Sequence, residues 1–228
     1  MNNYTDRIME LVQETESNIY NIEKIIYTGR YSYLENDFKV ISKQSLVMLY
    51  SLWEGFVQDV FGIFLDEVNN NVNSIYDLKD DFMLSQVEST FQQFKEYPKK
   101  DNSRKKFHNG LFSFFKESNH NLNKIVRCNN NVEIDVLNKL LVTYCMDEIP
   151  NNWREYSRPN KNLKDTLKDF LHYRNNQAHG NRAATEVIVS HNDFEIYKKV
   201  VIDLIYEVSE KIEKCLTRKN YLKQNGVP

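Results

Sequence analysis

The run LVMLYSLWEGFVQDVFGIFLDEV, Leu46 to Val68, leaves almost no room for a polar face. Drawn on a helical wheel, Leu46, Val47, Leu49, Tyr50, Trp53, Phe56, Val57, Val60, Phe61, Phe64 and Leu65 cover most of the circumference. A helix that is apolar nearly all round must be covered on several sides. The run, roughly Leu34 to Val68, therefore predicts the central helix of a bundle.

The flanking segments repeat the same period with a single apolar stripe. Tyr4, Ile8, Val12, Thr15, Ile19, Ile22 and Ile26 recur every three or four residues until Gly29. Near the other end, Phe194, Tyr197, Val201, Ile205, Val208, Ile212 and Leu216 form one stripe, predicting a long helix from about Asn192 to Arg218. Between these lie the shorter helical patterns DFMLSQVESTFQQF, FHNGLFSFFKE and EIDVLNKLLVTYCM. The asparagine-rich runs VNNNVN and CNNNVE read as connectors. EVIVS reads as a short extended piece, and the tail LKQNGVP as loose. With only 6 Gly and 4 Pro, turns are too sparse for an all-β chain. The expectation is one all-α, up-and-down bundle over residues 1–228, with 74–150 as a helical insertion.

A formal net charge of -2 excludes bulk coating of nucleic acid, so any such role rests on local patches. Cys128, Cys145 and Cys215 are odd in number and far apart, and support neither a disulfide scaffold nor a zinc cluster. MNNYTDRIMELVQE has no basic region followed by an apolar run, so no signal peptide is expected. No stretch approaches the roughly eighteen charge-free apolar residues of a membrane span. These readings predict a cytoplasmic protein that does not enter a membrane.

One segment combines a core face with unusual polar groups: NLKDTLKDFLHYRNNQAHG, which ends at His179-Gly180. At about 100° per residue, Leu163, Leu167, Phe170, Leu171 and Ala178 share one side, with Arg174 among them. The other face carries Lys161, Lys164, Lys168, His172, Asn175 and His179. An arginine in an apolar arc stays charged and needs an acceptor. Glu54, beside Trp53 on the central helix, is the expected partner. His179, at a helix C-terminus followed by Gly180, is placed where the dipole favours its protonated form and where it gains and releases a proton near neutrality. By itself the pattern fits a salt bridge with a cap as well as a catalytic pair.

Arg174-Asn175, then His179-Gly180, make an R-x4-H motif in an all-α chain. Together with LVMLYSLWEGFVQDVF upstream and a long closing helix, this resembles the HEPN superfamily of ribonucleases, in particular its RiboL-PSP-HEPN-like branch. The resemblance covers about residues 34–68 and 160–218. It implies a metal-independent endoribonuclease with no cofactor, acting on RNA such as tRNA as a toxin or phage-defence effector. Arg174 and His179 would be catalytic, with Asn175 orienting the histidine or a phosphate oxygen. The 2′-OH would attack the adjacent phosphate to give a 2′,3′-cyclic phosphate and a 5′-OH. The expected partners are RNA, a second copy or another HEPN protein, and an antitoxin or regulatory subunit.

On an unbroken helix Arg174 and His179 lie about 140° apart. Either the helix unwinds near Asn176 or a partner completes the site. Local charge for RNA is expected from Arg154, Arg158, Lys161, Lys164, Lys168 and Arg182, with His172 on the same stripe. A second basic stretch, KEYPKKDNSRKKFH, has Tyr97 and Phe107 nearby for base stacking. His108, His120 and His191 read as surface or loop residues. Two other classes compete: a non-catalytic HEPN-like module that binds RNA or nucleotide, and a metal hydrolase. The second is disfavoured because the sequence shows no convincing ligand cluster.

Overall fold

The computed structural model describes residues 3–29, 35–116, 122–123, 131–154, 162–178 and 189–223, except the side chains at 35, 36 and 178. Seven α-helices lie among them: α1 Tyr4–Tyr27, α2 Glu35–Asn71, α3 Asp80–Thr90, α4 Asp101–Lys116, α5 Ile134–Thr143, α6 Leu163–Ala178 and α7 His191–Arg218. The described residues contain no strand, only a lone bridge between Leu78 and Leu222. The chain is all-α.

The 37-residue α2 runs about 55 Å and packs against α1, α6 and α7. Leu46, Leu49, Tyr50, Trp53, Val57, Phe61, Phe64 and Leu65 are all at most 1% exposed. By length and composition alone, residues 37–71 would reach across a bilayer, yet in the fold most of their apolar side chains from Leu46 onward are buried, while Val40, Ile41 and Met48 stay exposed. α1 contributes Ile8, Val12, Thr15, Ile19, Ile22 and Ile26, and α7 contributes Phe194, Val201, Leu204, Ile205, Val208 and Ile212. Ser190 and Asp193 cap α7 reciprocally, each side chain bonding the other's backbone N–H, which starts the helix at His191.

Three local expectations need correction. The asparagine run after Val68 is not a connector at its start: α2 continues through Asn69, Asn70 and Asn71. Asn71 donates to the Glu67 backbone and carboxylate, and Asn69 exchanges bonds with the Leu122 backbone. Side-chain bonding of this kind lets asparagine prolong a helix it would otherwise end. Next, the DFMLSQVESTFQQF pattern breaks after Thr90, where Phe91 leaves helical geometry at φ -110° and ψ 89°. Its ring turns to meet Phe107 and Phe114 edge-on. Finally, the C-terminal tail is anchored at its start, with Tyr221 buried and Lys223 N–H bonded to Asp77 O. CNNNVE up to residue 130, EVIVS up to residue 188 and the tail from 224 lie outside the described residues, as do Cys128 and His120.

Candidate functional site

α6 presents Leu163, Leu167, Phe170 and Leu171 to the core and leaves Lys164, Lys168 and His172 exposed. One turn beyond Phe170, Arg174 lies against α2. Its Nη2 is 3.7 Å from Glu54 Oε2, an ion contact longer than a hydrogen bond. Its Nη1 donates to Asn175 Oδ1 at 2.9 Å, and its guanidinium carbon stands 5.2 Å from the centre of the Tyr50 ring. Glu54 and Tyr50 are four residues apart on α2, so one face of one helix supplies both contacts. The guanidinium is thus held by an anion, an amide and an aromatic face, with 23% of its side chain open to solvent and only 12% of that of Glu54.

Tyr50 is itself fixed. Its hydroxyl accepts from Val132 N–H at 2.6 Å, and Trp53 Nε1 donates to Val132 O at 3.2 Å. Both backbone groups of one residue from the middle region are therefore clamped by aromatic side chains of α2. Burial, the largest influence, pushes the Tyr50 phenol up to about 12, so it stays protonated at neutral pH and serves as a surface and an acceptor. The sequence contained Tyr50 only as a core residue; its i, i+4 spacing to Glu54 was the available signal.

The other predicted residues are dispersed. Asn175 bonds the guanidinium itself. Lys164 pairs with Asp135 at 2.8 Å, and His172 Nε2 meets Asn176 Nδ2 at 2.9 Å. Arg154 pairs with Asp203 and lies over Trp153. Lys168 is exposed. His179, Gly180, Arg158, Lys161 and Arg182 lie outside the described residues. α6 is helical through Asn176 to Ala178, so it does not unwind where the sequence reading placed one way of converging Arg174 and His179. The His172–Asn176 contact spans that turn.

A charged cluster at the α1–α7 seam went unread in the sequence. His191 Nε2 lies 2.8 Å from Glu23 Oε1 and 3.5 Å from Glu195 Oε1, and its ring stacks on Tyr27 at 5.0 Å. Glu23, His191 and Glu195 bring one ligand-type atom each within 4.8 Å of one another, a grouping the sequence spacing did not reveal. Lys198 also enters the cluster, 2.7 Å from Glu23 and in contact with Glu195, so the carboxylates already have a cation between them. The signal was His191 and Glu195 at i, i+4; Glu23 is 168 residues away. Burial alone would push the Glu23 carboxyl up, but hydrogen bonds from Lys198 and His191 carry it down to about 2 from 4.5. A lowered folded-state value means stability present above about pH 4.5 and lost as the pH falls towards 2. For this partly exposed pair the contribution is about 1 kcal/mol after solvent screening. Glu23→Gln should be less stable at neutral pH and should flatten the acid limb. Urea unfolding at about pH 6 and about pH 3 checks this: equal pH dependence in wild type and variant would refute it.

The fold is a helical bundle whose most apolar helix braces an arginine of a neighbouring helix. A profile of the HEPN_MAE_28990-like HEPN family matches residues 6–221, nearly the whole chain, and the protein belongs to the HEPN superfamily. The matched description is MAE_28990-like, where the sequence pointed to the RiboL-PSP-HEPN-like branch. No curated protein and no solved structure matches it.

Proposed function

We propose that this HEPN protein is a metal-independent endoribonuclease, acting as a toxin or phage-defence effector, with Arg174 and His179 as its catalytic residues and residues 1–228 as one unit carrying the 74–150 insertion. The observation that carries this reading is the bracing of Arg174. A fixed guanidinium that keeps part of its surface in solvent is preorganised to meet negative charge. In the proposed reaction the ribose 2′-oxygen attacks phosphorus and the bond to the 5′-oxygen breaks. A base takes the 2′-OH proton, an acid protonates the departing 5′-oxygen, and Arg174 stabilises charge on the phosphorane. His179 takes one of the two proton-transfer roles.

The intact helix through Ala178 supports a composite site. Arg174 faces α2, and α6 does not unwind near Asn176, so this reading takes the other route to one phosphate, a motif supplied by a second subunit. The partner in this reading is a second copy or another HEPN protein, with an antitoxin or regulatory subunit silencing the pair. Gly55, next to Glu54, has nothing within 4 Å of where a Cβ would stand, which leaves room on that side of α2.

The test is sequencing of RNA ends after brief induction of wild type and His179→Ala. New 5′-OH ends present only with wild type support the reading. Identical end profiles and equal toxicity would sink it, and RNA retention without cleavage would favour a binding module.

A further inference from the structure

The segment from Lys95 to His108 holds six lysines and arginines against Glu96 and Asp101, an excess of four positive charges in a chain of net charge -2. The rest of the protein therefore carries about -6, and the molecule is strongly polarised. Lys95, Lys99, Lys100, Arg104, Lys105 and Lys106 are all exposed. They lie on and just before α4, whose Leu111, Phe114 and Phe115 pack against the main core, while Phe107 is buried beneath Phe91, Phe94 and Tyr97, meeting each ring edge-on.

This packing corrects one expectation and replaces it with another. Phe107, only 7% exposed, has no face to offer a base. The rings it supports do: Phe94 is 50% exposed and Tyr97 51%, and Phe112, further along α4, is 62% exposed. Tyr97 is held by its hydroxyl to His108 Nε2 at 2.9 Å and by the Arg104 guanidinium over its ring. Arg104 is in turn tied to Pro98 O and to Asp101. The result is a set of exposed rings in a segment rich in cations.

We propose that this segment, Lys95 to Phe112, is a docking arm for single-stranded RNA, built on elements other than the helix that carries Arg174. Phosphates pair with the lysines and bases stack on Phe94, Tyr97 and Phe112. The proposal rests on the ribonuclease reading for its choice of RNA. A membrane-lying helix would need a continuous apolar face. On α4 the outward residues Arg104, Lys105, His108 and Asn109 separate the rings, while Phe114 and Phe115 are turned partly inward.

The experiment uses the full chain in an Arg174→Ala background and a labelled single-stranded oligouridylate, read by fluorescence anisotropy over a salt series. The triple variant K99E/K105E/K106E should bind at least tenfold more weakly at about 0.1 M salt, with the slope of log affinity against log salt reduced by about 2. Phe112→Ser should weaken binding several-fold with little change in slope. A glutamine triple, K99Q/K105Q/K106Q, with unchanged circular dichroism guards against misfolding and should lose affinity in the same direction. Unchanged affinity and slope in all three variants would overturn the arm, as would binding to phosphatidylserine–phosphatidylcholine vesicles in preference to RNA. Cleavage of a dinucleotide, which has one phosphate and no strand to lay along the arm, separates the two readings. Loss of long-RNA binding in a protein that never cleaves leaves the arm standing and the ribonuclease refuted. Dinucleotide cleavage with no arm-dependent binding does the reverse.

Discussion

Arg174→Ala should lower RNA cleavage by about 10²–10³-fold, the effect of removing one preorganised donor to a developing anion. The same substitution should destabilise the protein, because Glu54 would remain in the fold with 12% of its side chain exposed and its cation gone. Leaving such a carboxylate unpaired costs about 1–3 kcal/mol, or about 2–12 °C in melting temperature for a chain of this size. The two effects separate in a double variant. E54Q/R174A removes the stranded charge, so it should regain much of the stability while staying inactive. Cleavage assays and thermal melts on the four members of this cycle decide the matter. If stability losses at the two positions are strictly additive, the pair is not coupled. If R174A cleaves RNA at the wild-type rate, the guanidinium has no part in the chemistry.

Trp53→Ala should be the most damaging single change to the fold. The side chain is fully buried against Phe56, and its indole N–H holds Val132 O. Large-to-small replacement at such a position costs about 3–5 kcal/mol, a fall of about 6–20 °C. Trp53→Phe keeps most of the apolar area but leaves Val132 O without its donor, for about 1 kcal/mol. Differential scanning calorimetry of the pair tests this ordering. Equal melting temperatures for the two variants would mean that the hydrogen bond, not the packing, carries the site.

Much of this architecture was readable from spacing because the signal was local. The apolar girth of α2 and the single stripes of α1 and α7 follow from the 3.6-residue period alone. The Glu54–Arg174 contact was readable for a related reason: a charge in an apolar arc demands an opposite charge in another, and few were on offer. What stayed hidden depends on tertiary contacts. Asn69 and Asn71, at the end of α2, find acceptors and donors, and those of Asn69 are on the Leu122 backbone, 53 residues along the chain. Phe91 ends α3 because its ring is drawn to Phe107 and Phe114. The Glu23–His191–Lys198 group joins opposite ends of the chain, and no periodicity encodes such a meeting.

Tyr50 touches the middle region with its oxygen and Arg174 with its ring. A single phenol thus serves two masters, and linkage runs both ways through it. Any molecule that binds residues 131–133 by drawing Val132 from that oxygen must alter the grip on the guanidinium. An anion captured by Arg174 must, by the same free energy, alter the hold on Val132.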